Sequence, residues 1–283
     1  RPPRSTLFPY TTLFRSAQLM TDRTTKFSQM KDSDWIKINS GTTGFYRVKY
    51  GPNELDALSK AVNSAELDPS DRLGLLEDTF ALVRARFTTA NDYLSLLNSY
   101  HKDDNYSVWA AIAGQLSSLE RLLFEQPFVE EFYASSESLF KGVIERVGWE
   151  GNSDETHLTS LLRSVALNQG GHFGNDNVLD EANKRFQQFL IDKVSISPDL
   201  RAVTYGLAAE SGDTATFEQL LQLSDSFDLQ EEKVRIQGAL TRFKQPDLIT
   251  RALELSLDPD VIRIQDTPRI IMGLAGNPYA LRS

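Results

Sequence analysis

The chain has 283 residues, 40% of them hydrophobic and 24% charged, with a net charge of -9 and no cysteine. That composition can bury a sizeable core, opposes a phosphate backbone and rules out disulfides and thiolate metal sites, so nucleic acid is excluded as a partner. The longest apolar runs, such as Val108 to Ala113, fall short of the roughly 20 residues that span a bilayer, so no membrane partner is expected, and a cysteine-free chain suits a reducing, cytoplasmic compartment.

Residues 1–16 are proline-rich and basic, contain no acid and nearly repeat Thr-Leu-Phe at Thr6–Phe8 and Thr12–Phe14. Against an acidic remainder, and with three prolines opposing an amphipathic targeting helix, they are predicted to be a non-native tail with no part in the fold. Residues 17–50 follow as a second segment. Within it, Ile36 and Ile38 alternate with Trp35, Lys37 and Asn39, and Tyr46, Val48 and Tyr50 alternate with Phe45, Arg47 and Lys49. This period of two predicts a β-hairpin turned by Gly41 and Gly44, which needs a sheet or helices to pack on.

From residue 51 onward the period becomes 3.6. Asp68-Pro69 opens a helix striped by Leu73, Leu76, Phe80 and Val83. Further stripes are Leu116, Leu119 and Leu123, then Leu158, Leu161, Leu162 and Val165, then Leu200, Val203 and Leu207, then Ile236, Leu240 and Phe243. Start signals stand at Ser153-Asp154, Ser197-Pro198-Asp199, Asp213, Asp228 with Glu231, Gln245-Pro246-Asp247 and Asp258-Pro259. Helix pairs beginning about every 30 to 47 residues predict a mainly α fold, a HEAT-like α-solenoid of antiparallel helix pairs over residues 51–283, preceded by a β-hairpin.

Several short motifs keep a fixed order: Trp35-Ile36-Lys37-Ile38-Asn39 with Gly44-Phe45-Tyr46-Arg47-Val48-Lys49-Tyr50, Asp71-Arg72-Leu73-Gly74-Leu75 with Asp78 and Phe80, Tyr106-Ser107-Val108-Trp109, Glu145-Arg146-Val147-Gly148-Trp149 and Leu161-Leu162-Arg163. Asp199-Leu200-Arg201, Gln230 to Ile236, Pro246-Asp247-Leu248-Ile249 and Arg263 to Thr267 continue the series. In that order they resemble the C-terminal helical region of gluzincin zinc aminopeptidases of the aminopeptidase N family, with the likeness pointing to the puromycin-sensitive branch. The resemblance covers about Leu19 to Ala275. It implies that residues 17–50 are the end of a β-sandwich domain and that the solenoid is truncated at its end. The implied whole is an enzyme that removes N-terminal residues from peptides, with zinc as its cofactor. The implied partners are the missing catalytic and β-sandwich domains and the peptide substrates. This region would enclose the substrate chamber and support the catalytic domain. A stand-alone HEAT-like adaptor that binds a protein partner is the alternative.

The chemistry of hydrolysis is not in these residues. A zinc site of the implied kind needs two histidines one helical turn apart, whereas His101, His157 and His172 have no histidine four residues away. They are read as surface or capping residues, and Gln169 to Asn177, glycine-rich but without the Lys-Ser/Thr of a phosphate loop, as a connector between helices. No catalytic and no metal-binding residue is assigned, and the chain alone is expected to be inactive. Asn105-Tyr106-Ser107 is an incidental glycosylation triplet.

Arg163, Arg201, Arg235 and Arg263 lie on apolar-striped helices, where a guanidinium needs a partner or a wet cavity. Pairing with helix C-termini or with acids such as Asp199 and Asp266 is one reading. Lining a peptide chamber, where they would attract a substrate carboxylate, is the one the resemblance allows. Truncation predicts two open apolar patches, around Trp35, Phe45 and Tyr46 and around Ile270, Ile271 and Leu274.

Overall fold

In the computed structural model the described residues are 34–152 and 154–282. The chain divides between Arg1–Asp34 and Trp35–Ser283, and all the geometry below belongs to the second unit. The predicted tail, residues 1–16, and residues 17–33 of the predicted β-sandwich end lie outside the described residues.

Twelve helices follow one another among the described residues: α1 (Pro52–Asn63), α2 (Pro69–Arg84), α3 (Ala90–Leu97), α4 (Tyr106–Leu123), α5 (Val129–Val147), α6 (His157–His172), α7 (Asp176–Ile191), α8 (Pro198–Ser211), α9 (Thr214–Asp225), α10 (Gln230–Leu240), α11 (Pro246–Ser256) and α12 (Thr267–Gly276). The fold is mainly α, as the change of period predicts. Proline at the first position starts α1, α2, α8 and α11, where its missing N–H costs nothing. Asp213 caps α9 as predicted, and Thr156, Asn175 and Asn105 cap α6, α7 and α4. Three start signals fail, the first being Ser153-Asp154, which gives way to Thr156 as the cap of α6. Asp228 gives way to Leu229 as the cap of α10, with no side-chain bond, and Asp258-Pro259 opens only a turn, since α12 starts at Thr267.

The even-numbered helices touch in series, α2 on α4, α4 on α6, α6 on α8, α8 on α10 and α10 on α12, while α5, α7, α9 and α11 pack on the even helix that follows each. Two apolar clusters result. One gathers Leu58, Leu75, Tyr93, Trp109, Phe140 and Phe173; the other gathers Phe186, Tyr205, Leu207, Phe217, Phe243 and Leu274. Most striped positions are buried, but Leu158 is 57% exposed, because α6 turns its first residues outward.

The predicted hairpin is not formed. Among the described residues of this segment there is no strand, only a single 3-10 turn at Ser40–Thr42 within extended chain. The segment is held by side chains in place of a partner strand: the Tyr50 hydroxyl accepts from the Ile38 amide at 2.9 Å, and two buried carboxylates of α2 hold the rest. Asp71 accepts from the Gly41 amide at 2.6 Å and the Ser40 hydroxyl at 3.1 Å, and Asp78 from the Val48 amide at 3.2 Å and Arg47 at 3.1 Å. The Asn39 side chain closes the turn, accepting from the Gly44 amide at 2.7 Å and donating to its carbonyl at 3.0 Å. Positive φ falls at Asn39, Gly41 and Thr42 and not at Gly44. The alternation therefore describes an extended strap laid along a helix. Of the two predicted apolar patches, Phe45 and Tyr46 are exposed while Trp35 is partly covered and donates to Glu66 at 2.7 Å; Ile271 is open, but Ile270 and Leu274 are buried.

Candidate functional site

The C-terminal ends of the even helices meet around a cleft of about 190 Å³ lined by polar side chains, among them Glu120 of α4, Asn168 and His172 of α6, Glu210 of α8 and Arg242 just past α10. Close helix approach makes this possible. A Cβ at Gly171 would stand 2.6 Å and 2.7 Å from the two methyls of Leu207, and one at Gly170 would stand 2.3 Å from Ile144, so both glycines let α6 settle against its neighbours. The glycine stretch read as a connector is the last turn of α6 as far as His172, a reversal at Phe173 to Asn175, where Gly174 has φ 93°, and the first two residues of α7.

His172 is the centre of the cleft and not a surface residue. Its Nε2 lies 2.9 Å from Glu120 and its Nδ1 3.1 Å from Glu210. Arg242 donates to the Glu210 carboxylate through Nε at 2.6 Å and to Asn168 at 2.5 Å, and the Tyr133 hydroxyl donates to Glu120 at 2.7 Å. Burial alone would lower the pKa of His172, but Glu210 and Glu120 outweigh it and lift it to about 9. Burial likewise would raise Glu210, yet Arg242 and His172 hold it down at about 2. At neutral pH His172 is therefore an imidazolium and Glu210 a carboxylate, each bonded to the other. The helix ends agree with the cations, since C-terminal carbonyls favour positive charge.

The four arginines singled out by the sequence are elsewhere. Arg163, Arg201 and Arg235 lie in the first two turns of α6, α8 and α10, and Arg263 precedes α12. Arg163 is buried, paired through both terminal nitrogens with Glu155, and donates to the Val147 carbonyl at 3.0 Å. Arg201 and Arg235 converge on the fully buried Glu232, Arg201 at 3.0 Å, and Arg201 also reaches the Ile196 carbonyl at 3.2 Å. Arg263 pairs with Asp266 at 2.7 Å. Arg163 lines a second cleft of about 410 Å³ with Trp149, Arg185 and His157. His101 is exposed, with Nδ1 2.8 Å from the Asn98 carbonyl.

The family described as ERAP1-like C-terminal domain matches residues 35–282. This chain belongs to that family. Its curated relatives are aminopeptidases. Aminopeptidase M1-A of Oryza sativa subsp. japonica is 32% identical over 268 residues, covering 89% of this chain, and Aminopeptidase M1 of Arabidopsis thaliana is 33% identical over 256 residues, covering 86%. Puromycin-sensitive aminopeptidase of Caenorhabditis elegans is 28% identical over 255 residues, covering 87%. The chain spans only 30%, 28% and 27% of the length of these relatives.

Within this member of the ERAP1-like C-terminal family, no group of three or more His, Cys, Asp or Glu side chains among the described residues is arranged to hold a metal ion. His172 with Glu120 and Glu210 does not fit one, because the carboxylates face opposite nitrogens of the ring and cannot converge on a single point. Among the described residues, no helix is long and apolar enough to cross a membrane. Glu120, Glu210 and Arg242 escaped sequence reasoning. Their one signal is local: an acid in the last turn of a helix stands against the helix dipole, and Glu120 and Glu210 both do so.

Proposed function

We propose that this chain is the helical C-terminal part of a zinc aminopeptidase that removes N-terminal residues from peptides in the cytoplasm. The family match over residues 35–282 carries the reading. On it, residues 17–50 end the preceding β-sandwich domain, and residues 51–283 form a HEAT-like solenoid of antiparallel pairs. The serial packing of even helices supports that arrangement. Zinc, its ligands and the glutamate base belong to a catalytic domain outside this sequence, so this chain performs no bond cleavage by itself. Its part is to wall the substrate chamber and brace the catalytic domain. Arg163, Arg201, Arg235 and Arg263 are proposed to tune the electrostatics of that wall as paired charges. Their test is glutamine substitution in the longer enzyme, which should change KM for peptides while leaving turnover of a one-residue anilide within about twofold.

Reading the genomic sequence upstream of Leu19 tests the whole reading. The expected result is an open frame encoding His-Glu-x-x-His, in a protein whose aminopeptidase activity is lost to a chelator. An in-frame stop followed by a start codon upstream of Leu19, with no such motif, would overturn it in favour of a free-standing helical-repeat adaptor.

A further inference from the structure

The unit holds two apolar cores; α6 gives buried side chains to both, and Ile144 of α5 packs against both. From α6, Leu162 and Ala166 enter the N-terminal core and Leu167 enters the C-terminal one. At the end of that shared helix, His172 reaches each way. Its Nε2 meets Glu120 on α4, the helix that gives Val108, Ile112 and Leu116 to the first core, and its Nδ1 meets Glu210 on α8, the helix that gives Leu200, Val203 and Leu207 to the second. We propose that His172 is a proton-controlled clamp between the two halves of this unit: charged, it ties them into one cooperative body, and uncharged, it lets them unfold separately.

The chemistry of the ring carries this. An imidazolium donates from both nitrogens, whereas neutral imidazole has one N–H and one lone pair, and here that lone pair must face a carboxylate. The charged neighbours come from every element around it. Glu120 of α4 is held by the Tyr133 hydroxyl of α5; Glu210 of α8 is held by Arg242 from beyond α10; Lys244 and Tyr279 line the same cleft. Burial and the Glu120 carboxylate push the Tyr133 hydroxyl far above its ordinary range, and a guanidinium does not titrate below about pH 12, so His172 is the member of the bonded cluster that changes charge on the alkaline side of neutrality. The sign follows from a folded value of about 9 against 6.5 unfolded. The clamp's contribution is complete below about pH 6.5, declines about tenfold in the unfolding constant per pH unit above it, and is gone beyond about pH 9, about 300-fold in all.

The test is denaturant unfolding of the 283-residue chain carrying W149F, so that fluorescence reports Trp35 and Trp109 at the N-terminal core while far-ultraviolet circular dichroism reports all the helices. The two curves should coincide at pH 7 and part at pH 9.5, and with His172→Gln they should part at both. Should His172→Gln not fold, Glu120→Gln leaves a neutral acceptor in place of the charged arm and should also part the curves at pH 7. Coincident curves at pH 9.5, or a folded His172→Gln or Glu120→Gln chain that unfolds like its parent at pH 7, would overturn the clamp.

Discussion

The two ends of the even helices solve the same problem with different cations. At their N-terminal ends buried carboxylates are matched by guanidinium groups: Asp103 by Arg72 at 2.7 Å, Glu155 by Arg163, and Glu232 by Arg201 and Arg235. At the C-terminal ends Glu210 is matched by Arg242, but Glu120 and the other flank of Glu210 depend on the imidazole of His172. A guanidinium keeps its charge at any pH a protein survives, while an imidazole does not. Above neutral pH one end of the stack therefore keeps its charges and the other is adjustable. The lesson is that sensitivity on the alkaline side of neutrality is set by the cation chosen, whereas burial acts on the acid side, where it raises Asp103 above its ordinary value in spite of Arg72.

The largest expected effect breaks the fixed end. Glu232→Leu leaves two guanidinium groups without their shared partner, and should cost about 3–5 kcal/mol in urea unfolding, by about the same amount at pH 6.5 and pH 9. A loss that fades toward pH 9 would mean that this end is adjustable too. Next, His172→Gln should cost about 3 kcal/mol below pH 6.5, from a pKa lifted to about 9, and almost nothing above pH 9. Equal losses at both pH values would reduce His172 to a packing residue. Gly171→Ala tests the close approach that brings α6 to this end. Leu207 is fully buried and has both methyls in the way, so about 1–3 kcal/mol should be lost without a change in pH dependence. The smallest effect is at the opposite end of the same helix, where Thr156→Ala removes the side chain that caps the Thr159 amide at 3.2 Å and should cost about 1 kcal/mol.

How much of this was legible in the sequence depends on how local each signal is. Pro198 and Asp213 mark helix starts within a residue or two of themselves, and the spacing of Leu200, Val203 and Leu207 is a property of one helix, so both could be read directly. The strap from Trp35 to Tyr50 misled because alternation reports extended backbone and says nothing of what accepts its hydrogen bonds; the acceptors, Asp71 and Asp78, lie about thirty residues away. His172 and its carboxylates are separated by 38 and 52 positions, so only the stacking of repeats brings them together. The arginines on apolar stripes were visible as needing partners, and of the two acids named for the set Asp266 does pair, with Arg263, but Glu232, shared by Arg201 and Arg235, was not foreseen.

The most direct measurement of the contrast between the two ends is the titration of the imidazoles by nuclear magnetic resonance, which three histidines make tractable in the intact chain. The resonances of His172, assigned by their loss in His172→Gln, should move with a midpoint near 9. A midpoint at or below the ordinary 6.5 would contradict the charged clamp and leave Glu120 without a cation and Glu210 with Arg242 alone.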